Sequence, residues 1–150
     1  MAFRFSLAAV LMVRENGKKR AEQDLRTIQL EIDQVAQQIE NLNTYTANTH
    51  KARESAMQQP IPGGELHSFE HRVKAIAEAR KGLLDRLQIL ELERERRMNI
   101  YHAAHRDLET IVEMLDEQRT AYDQEQSRNE QKQLDDIFAA HAVKETNHNN

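Results

Sequence analysis

The sequence contains no cysteine and no tryptophan, and aromatic residues make up only 5% of its 150 positions. The lack of cysteine excludes disulfide bonds and thiol chemistry, and it is compatible with a reducing compartment. The scarcity of aromatic residues, together with a mean hydropathy of -0.83, disfavours a large compact core. The net charge of -4 provides no general attraction to nucleic acid or to anionic lipid.

Long uncharged apolar runs are also missing. The longest extends from Leu7 to Val13, which is far shorter than the roughly 20 residues of a membrane-spanning helix. Only Arg4 precedes this run as a basic residue, and no small-residue cleavage site follows it. We therefore expect the start of a helix here and not a cleaved signal peptide.

Proline and glycine are rare, and they are concentrated in one place. Both prolines and two of the four glycines lie in the Pro-Ile-Pro-Gly-Gly run at 60–64. Because proline lacks a backbone donor and restricts the residue before it, no helix continues through this pair. Gly-Gly then allows the chain to reverse without steric cost. We predict one turn at 59–64 between helices near 5–58 and 65–141, with a frayed tail at 142–150.

On both sides of this turn, apolar residues recur three and four positions apart. This is the heptad spacing of a coiled-coil seam, and a strand cannot use it because its faces alternate every two residues. The 31% of charged residues is typical of long coiled-coil helices. The seam is predicted at Ala21, Leu25, Ile28, Ile32, Val35, Ile39 and Leu42, and then at Leu66, Phe69, Val73, Ile76, Leu83, Leu87, Leu90, Tyr101, Ala104, Leu108, Ile111, Leu115 and Tyr122. The predicted fold is all-α: an antiparallel coiled-coil hairpin whose longer second helix has a C-terminal overhang.

Three arginines, Arg80, Arg94 and Arg97, fall on seam positions of the second helix. A buried unpaired charge would be costly, so we expect their guanidinium groups to reach solvent or to pair across the hairpin.

The overhang carries an apolar stripe of its own, formed by Leu134, Ile137 and Phe138. These residues are three and four positions apart, and they lie beyond the expected reach of the first helix. An isolated helix with a bare apolar stripe is unfavourable in water, so we expect a partner to cover it.

No pattern in the sequence indicates a catalytic, cofactor or metal site. His67 with His71, and His102 with His105, are spaced to share a helix face, but neither pair has a third ligand at a recognisable distance. The many carboxylates lie on coiled-coil flanks, where no concave dry site would shift their pKa values. We therefore predict a protein that is not an enzyme and needs no cofactor.

Charge is distributed unevenly along the chain. Residues 1–26 contain six basic and three acidic residues, whereas residues 116–136 contain three basic and seven acidic residues. Mutual attraction across the hairpin and a charged docking surface for a protein are both compatible with this pattern. Nucleic acid is disfavoured, because the basic segment lacks interleaved aromatic residues.

Three segments resemble the FliJ family of flagellar export proteins, and the resemblance covers essentially the full length. They are the opening FRFSLAAVLMVRE, the Phe69, Val73 and Ile76 pattern, and the C-terminal run RNEQKQLDDIF. The last is the most specific. A more distant resemblance is to the counterpart in injectisome type III secretion.

The resemblance implies a non-enzymatic stalk that is cytoplasmic and peripheral to the inner membrane at the flagellar base. Its implied partners are a hexameric export ATPase, the cytoplasmic domain of the export gate, and export chaperones. Arg72 departs from the family pattern, in which a hydrophobic residue is usual near this position. The implied gate-binding residues are Phe69, Val73 and Ile76, and the implied ATPase- or chaperone-binding residues are Leu7, Leu11, Arg14, Lys132, Leu134, Asp135, Ile137 and Phe138. We expect a monomeric hairpin, with a homodimeric coiled-coil adaptor or an injectisome stalk as alternatives.

Overall fold

A computed structural model describes residues 2–149, which form two long helices. Helix α1 comprises Ala8–Met57, and helix α2 comprises Gly63–His148. No strand occurs in the described part of the chain. The all-α prediction of two helices joined by one turn, with the second helix longer, is confirmed.

The residues that reverse the chain are not those that were predicted. The reversal is made by residues 58–62, and both glycines belong to the first turn of α2. The carbonyl of Pro62 accepts hydrogen bonds from the amides of Glu65 and Leu66, at 3.0 and 3.4 Å. No described glycine has a positive φ. The expectation that Gly-Gly makes the reversal is therefore wrong, because α2 begins at Gly63 and the Pro62 carbonyl accepts its first hydrogen bonds.

The end of α2 also differs from its prediction. The segment expected to be a frayed tail at 142–150 is helical as far as His148, and Asn150 lies outside the described residues. The Thr146 hydroxyl donates to the carbonyl of Ala142 at 2.7 Å. No glycine or proline follows Gly82 in α2, so nothing in the sequence interrupts the helix before its last turn.

The chain divides into two compact units. We call Lys19–Ala103 the turn unit, and we call Met1–Lys18 with Ala104–Asn150 the terminal unit, of which residues 2–18 and 104–149 are described.

Two arginines join the helices within the turn unit. Arg97 Nη1 donates to the carbonyl of Asp24 at 2.8 Å, and Arg80 Nε donates to Asn43 Oδ1 at 2.9 Å. Asn43, which is later in α1 than Asp24, pairs with Arg80, which is earlier in α2 than Arg97. The two helices of this unit are therefore antiparallel. Arg94 is exposed to solvent. Each of the three seam arginines therefore either reaches solvent or pairs across the hairpin, as predicted.

The hydrophobic core of the turn unit is a single row of seam residues. Ile28 is the most enclosed, at 2% exposure. Partly buried leucines pack against this row from both helices. The buried members are Ile28, Ile32, Val35, Ile39 and Leu90, and the flanking leucines are Leu25, Leu83 and Leu87. All eight are positions that the heptad spacing predicts.

The helices are also antiparallel within the terminal unit. The ring centroids of Phe3 and Tyr122 are 5.4 Å apart, and Arg14 Nη1 lies 3.5 Å from Asp107 Oδ2. Phe3 thus pairs with a later residue of α2 than Arg14 does, as expected for antiparallel segments. No described residue of this unit is fully buried.

Candidate partner-binding surfaces

Near the C-terminal end of α2, three exposed apolar residues at helical spacing form what we call the C-terminal stripe: Leu134, Ile137 and Phe138. Their exposed fractions are 49%, 55% and 70%. The spacing of three and four residues places all three on one face of α2, because each residue advances about 100° around a helix. Every described residue from 127 onward is exposed. The stripe is therefore uncovered within the described chain.

Two charged residues predicted to share this site lie elsewhere on α2. Both Lys132 and Asp135 are exposed. At about 100° per residue, Lys132 faces away from the C-terminal stripe, and Asp135 lies on its flank. Gln131 Nε2 donates to Asp135 Oδ1 at 3.2 Å. The structure thus does not bring all the predicted C-terminal residues onto one face.

The predicted N-terminal part of this site, Leu7, Leu11 and Arg14, is engaged inside the terminal unit. Leu7 and Leu11 are half-buried. Arg14, two turns along from Leu7, pairs with Asp107 of α2 at 3.5 Å. Leu7 and Leu11 are thus partly covered, and Arg14 stays exposed while it pairs with α2.

The predicted gate-binding residues Phe69, Val73 and Ile76, which we call the tip stripe, also lie in the seam. Ile76 is only 7% exposed, and the other two are half-buried. The guanidinium carbon of Arg72 lies 5.3 Å from the centre of the Phe69 ring. Arg72 therefore covers an edge of the stripe.

The strongest electrostatic cluster involves Glu93, Arg96 and Arg97. The Glu93 carboxylate accepts hydrogen bonds from Arg96 Nε and Nη2, at 2.9 and 2.6 Å, and from Arg97 Nε at 2.9 Å. The bonds from Arg96, and then those from Arg97, lower the pKa of Glu93 to about 2. A cleft of about 230 Å³ beside this cluster is lined by Ala21, Asp24, Arg96, Arg97 and Ile100. Since Arg97 also binds the Asp24 carbonyl, the cluster ties α2 to α1.

Residues 2–149 contain no group of three or more His, Cys, Asp or Glu side chains placed to hold a metal ion. His105 belongs to one of the histidine pairs noted in the sequence. Its Nε2 atom lies 3.0 Å from Oε1 of Glu109, which is four positions along the same helix. No helix of the described chain is both long and apolar enough to cross a membrane.

Ile89 and Leu92 are among the exposed apolar residues that were not predicted from the sequence. Ile89 and Leu92 are each 68% exposed, and they share a face of α2 because they are three residues apart. Both lie off the seam defined by Leu87 and Leu90. Their exposure could have been predicted, because large aliphatic residues at heptad positions outside the seam face solvent.

Residues 3–147 match the family model described as Flagellar FliJ protein. The chain belongs to the FliJ family. This family consists of non-enzymatic export components, so this FliJ-family chain is a component of flagellar type III export. No curated protein and no solved structure matches it.

Proposed function

We propose that this FliJ-family chain is a stalk and escort protein that links the hexameric export ATPase to the export gate and assists chaperone traffic. It acts in the cytoplasm, peripherally at the inner membrane of the flagellar base, as a monomeric hairpin without catalytic activity or cofactor. Its mechanism is mechanical and allosteric, because a helical hairpin can transmit a change of state between two bound proteins.

The observation that carries this proposal is the exposed C-terminal stripe. Most apolar seam residues of α1 and α2 are buried or half-buried, whereas Leu134, Ile137 and Phe138 are about half to two-thirds exposed. Exposed apolar residues at i, i+3 and i+4 are the anchors with which an amphipathic helix binds a protein groove. The ATPase, or a chaperone bound to the same segment, would supply that groove.

A second surface is needed for a linking role, and the tip stripe supports one in the turn unit. Its three residues share one face of α2 immediately after the turn. The C-terminal stripe belongs to the terminal unit. Having the two stripes in different units supports binding of two different proteins.

The test is a pull-down of the export ATPase with a Leu134→Asp, Phe138→Asp double variant. Two carboxylates in the stripe would have to be desolvated on binding, so we expect ATPase capture to be abolished while circular dichroism shows the helices retained. The matched control is Ile89→Asp with Leu92→Asp, which adds the same charge to the same helix at positions that are each 68% exposed, against 49% and 70% for Leu134 and Phe138. Unchanged capture by the stripe variant would refute the assigned role.

Light scattering separates this proposal from a homodimeric adaptor. The core of the turn unit is formed by residues from both helices of one chain, so we expect the mass of a monomer. A stable dimer would favour the adaptor.

A further inference from the structure

The last third of α1 contains a segment with poor intrinsic helix propensity. Residues 43–50 read Asn-Thr-Tyr-Thr-Ala-Asn-Thr-His, and only Ala47 is a strong helix former. Asparagine and threonine side chains compete for backbone hydrogen bonds, and β-branched residues lose rotamer freedom in a helix. The segment is nevertheless helical. Packing against α2 must therefore maintain the helix here.

The packing that this segment provides is itself weak. From residue 43 to the end of α1, which we call the tip segment (43–57), the seam side consists of Thr46, Thr49, Arg53 and Ala56. The hydroxyls of Thr46 and Thr49 donate to the carbonyls four residues earlier in α1, each at 2.9 Å. These hydrogen bonds remain whether or not α2 is in place. The two threonines therefore add no polar contact across the hairpin.

Arg53 adds a cost to the closed arrangement. Its Nε atom is buried and has no hydrogen-bond partner among the residues described. A buried donor without an acceptor forfeits its hydration, and separating the tip segment from α2 would restore it.

The hydrogen bond between Arg80 and Asn43 fixes the antiparallel register near the turn, and this register places the tip segment opposite the tip stripe of α2. Phe69, Val73 and Ile76 are four and three residues apart, which is the spacing of a helix that binds in a groove. Yet Ile76 is 7% exposed and the other two are half-buried. Another protein cannot use these side chains as anchors while the tip segment lies over them.

We propose that the tip segment is a lid, and that a partner with an apolar groove binds the tip stripe only after the lid detaches. The inference rests on the proposed gate contact and adds that gate binding requires opening. The connection permits it: six Cα steps from Met57 to Gly63 span up to about 20 Å, whereas packed helix axes are about 8–10 Å apart. The lid can leave α2 without breaking the turn.

Hydrogen exchange of the full chain tests the lid directly. Local opening lets amides exchange without global unfolding, so we expect residues 43–57 to exchange at least about 100-fold faster than residues 28–39. Equal protection of the two stretches would overturn the proposal.

A Thr46→Val, Thr49→Val variant connects the lid to binding. Replacing each hydroxyl by a methyl group adds apolar area to the seam side of the lid, so we expect exchange in residues 43–57 to slow by about tenfold. Affinity for the purified cytoplasmic domain of the gate should fall by the same factor, because only the open fraction binds. The matched control is Thr27→Val with Thr110→Val, exposed threonines that donate to carbonyls four residues earlier at 2.9 and 3.0 Å. Slowed exchange with unchanged affinity would overturn the proposal.

An opposite variant separates failure of the lid from failure of the gate contact. Asn48 and His50 are exposed, so Asn48→Gly with His50→Gly weakens the lid helix without altering the seam. We expect faster exchange and tighter gate binding. If the unaltered chain binds the gate domain and this variant binds no tighter, the lid is refuted. If neither binds, the proposed gate contact is refuted, together with the step that rests on it.

Discussion

Two regions of the turn unit share one heptad spacing but differ in the residue types that α1 places in the seam. In the middle, Ile28, Ile32, Val35 and Ile39 pack with Leu90, and all five are buried. Near the turn, α1 contributes Thr46, Thr49, Arg53 and Ala56. The spacing of a seam fixes which face meets the partner helix, whereas the residue types on that face determine how much apolar area is removed from water. A continuous helix can therefore contain both a stable and an unstable region.

The largest expected effect is the loss of a middle core residue. Ile28 is 2% exposed, so Ile28→Ala should lower the free energy of unfolding by about 2–5 kcal/mol. Thr49→Ala should cost less than about 1 kcal/mol, because its hydroxyl bonds only within α1. Urea titration followed by circular dichroism measures both. Similar losses would show that the two regions do not differ.

The two cross-helix arginines also differ between the middle of the turn unit and the region near the turn. Arg97 binds Glu93 and the Asp24 carbonyl, so Arg97→Ala should cost about 1.5–3 kcal/mol. Arg80, closer to the turn, makes one exposed bond to Asn43, and Arg80→Ala should cost less than about 1 kcal/mol. Thermal unfolding of both variants checks the order, and a larger loss at Arg80 would contradict it.

Glycine replacements test the revised turn. An added Cβ at Gly64 or Gly82 meets no atom within 4 Å, and neither residue has a positive φ. Alanine at either position should therefore stabilise the helix by about 0.5–1 kcal/mol. The melting temperature of each single variant measures this. A loss at Gly64 would show that the reversal needs its conformational freedom after all.

The smallest expected effect is on the stability of the fold at acidic pH. Because the folded-state pKa of Glu93 is lowered from its ordinary value of 4.5 to about 2, its contribution to stability is present above pH 4.5. This contribution is lost as the pH falls from 4.5 towards 2. Glu93→Gln should therefore reduce the pH dependence of unfolding in that window only. An identical acid profile for variant and unaltered chain would contradict the role given to Arg96 and Arg97.

Sequence reasoning was most successful where one residue type repeated along a face. The middle seam and the cross-hairpin arginines followed from spacing and from the cost of buried charge. The turn was predicted less well, since proline excludes a helix but does not say whether Gly63 begins the next one. The site assignments depended on residue roles that spacing does not separate. Leu7, Leu11 and Phe69 fit both a seam and a docking surface; all three are half-buried, and their binding roles stay predictions.

We propose above all that this FliJ-family chain links the export ATPase to the export gate. The most direct measurement is size-exclusion chromatography of the ATPase and the purified gate domain, with and without the chain. We expect the gate domain to co-elute with the ATPase only when the chain is present, and the Leu134→Asp, Phe138→Asp variant to abolish this co-elution. Co-elution without the chain, or no ternary complex with it, would contradict the linking role.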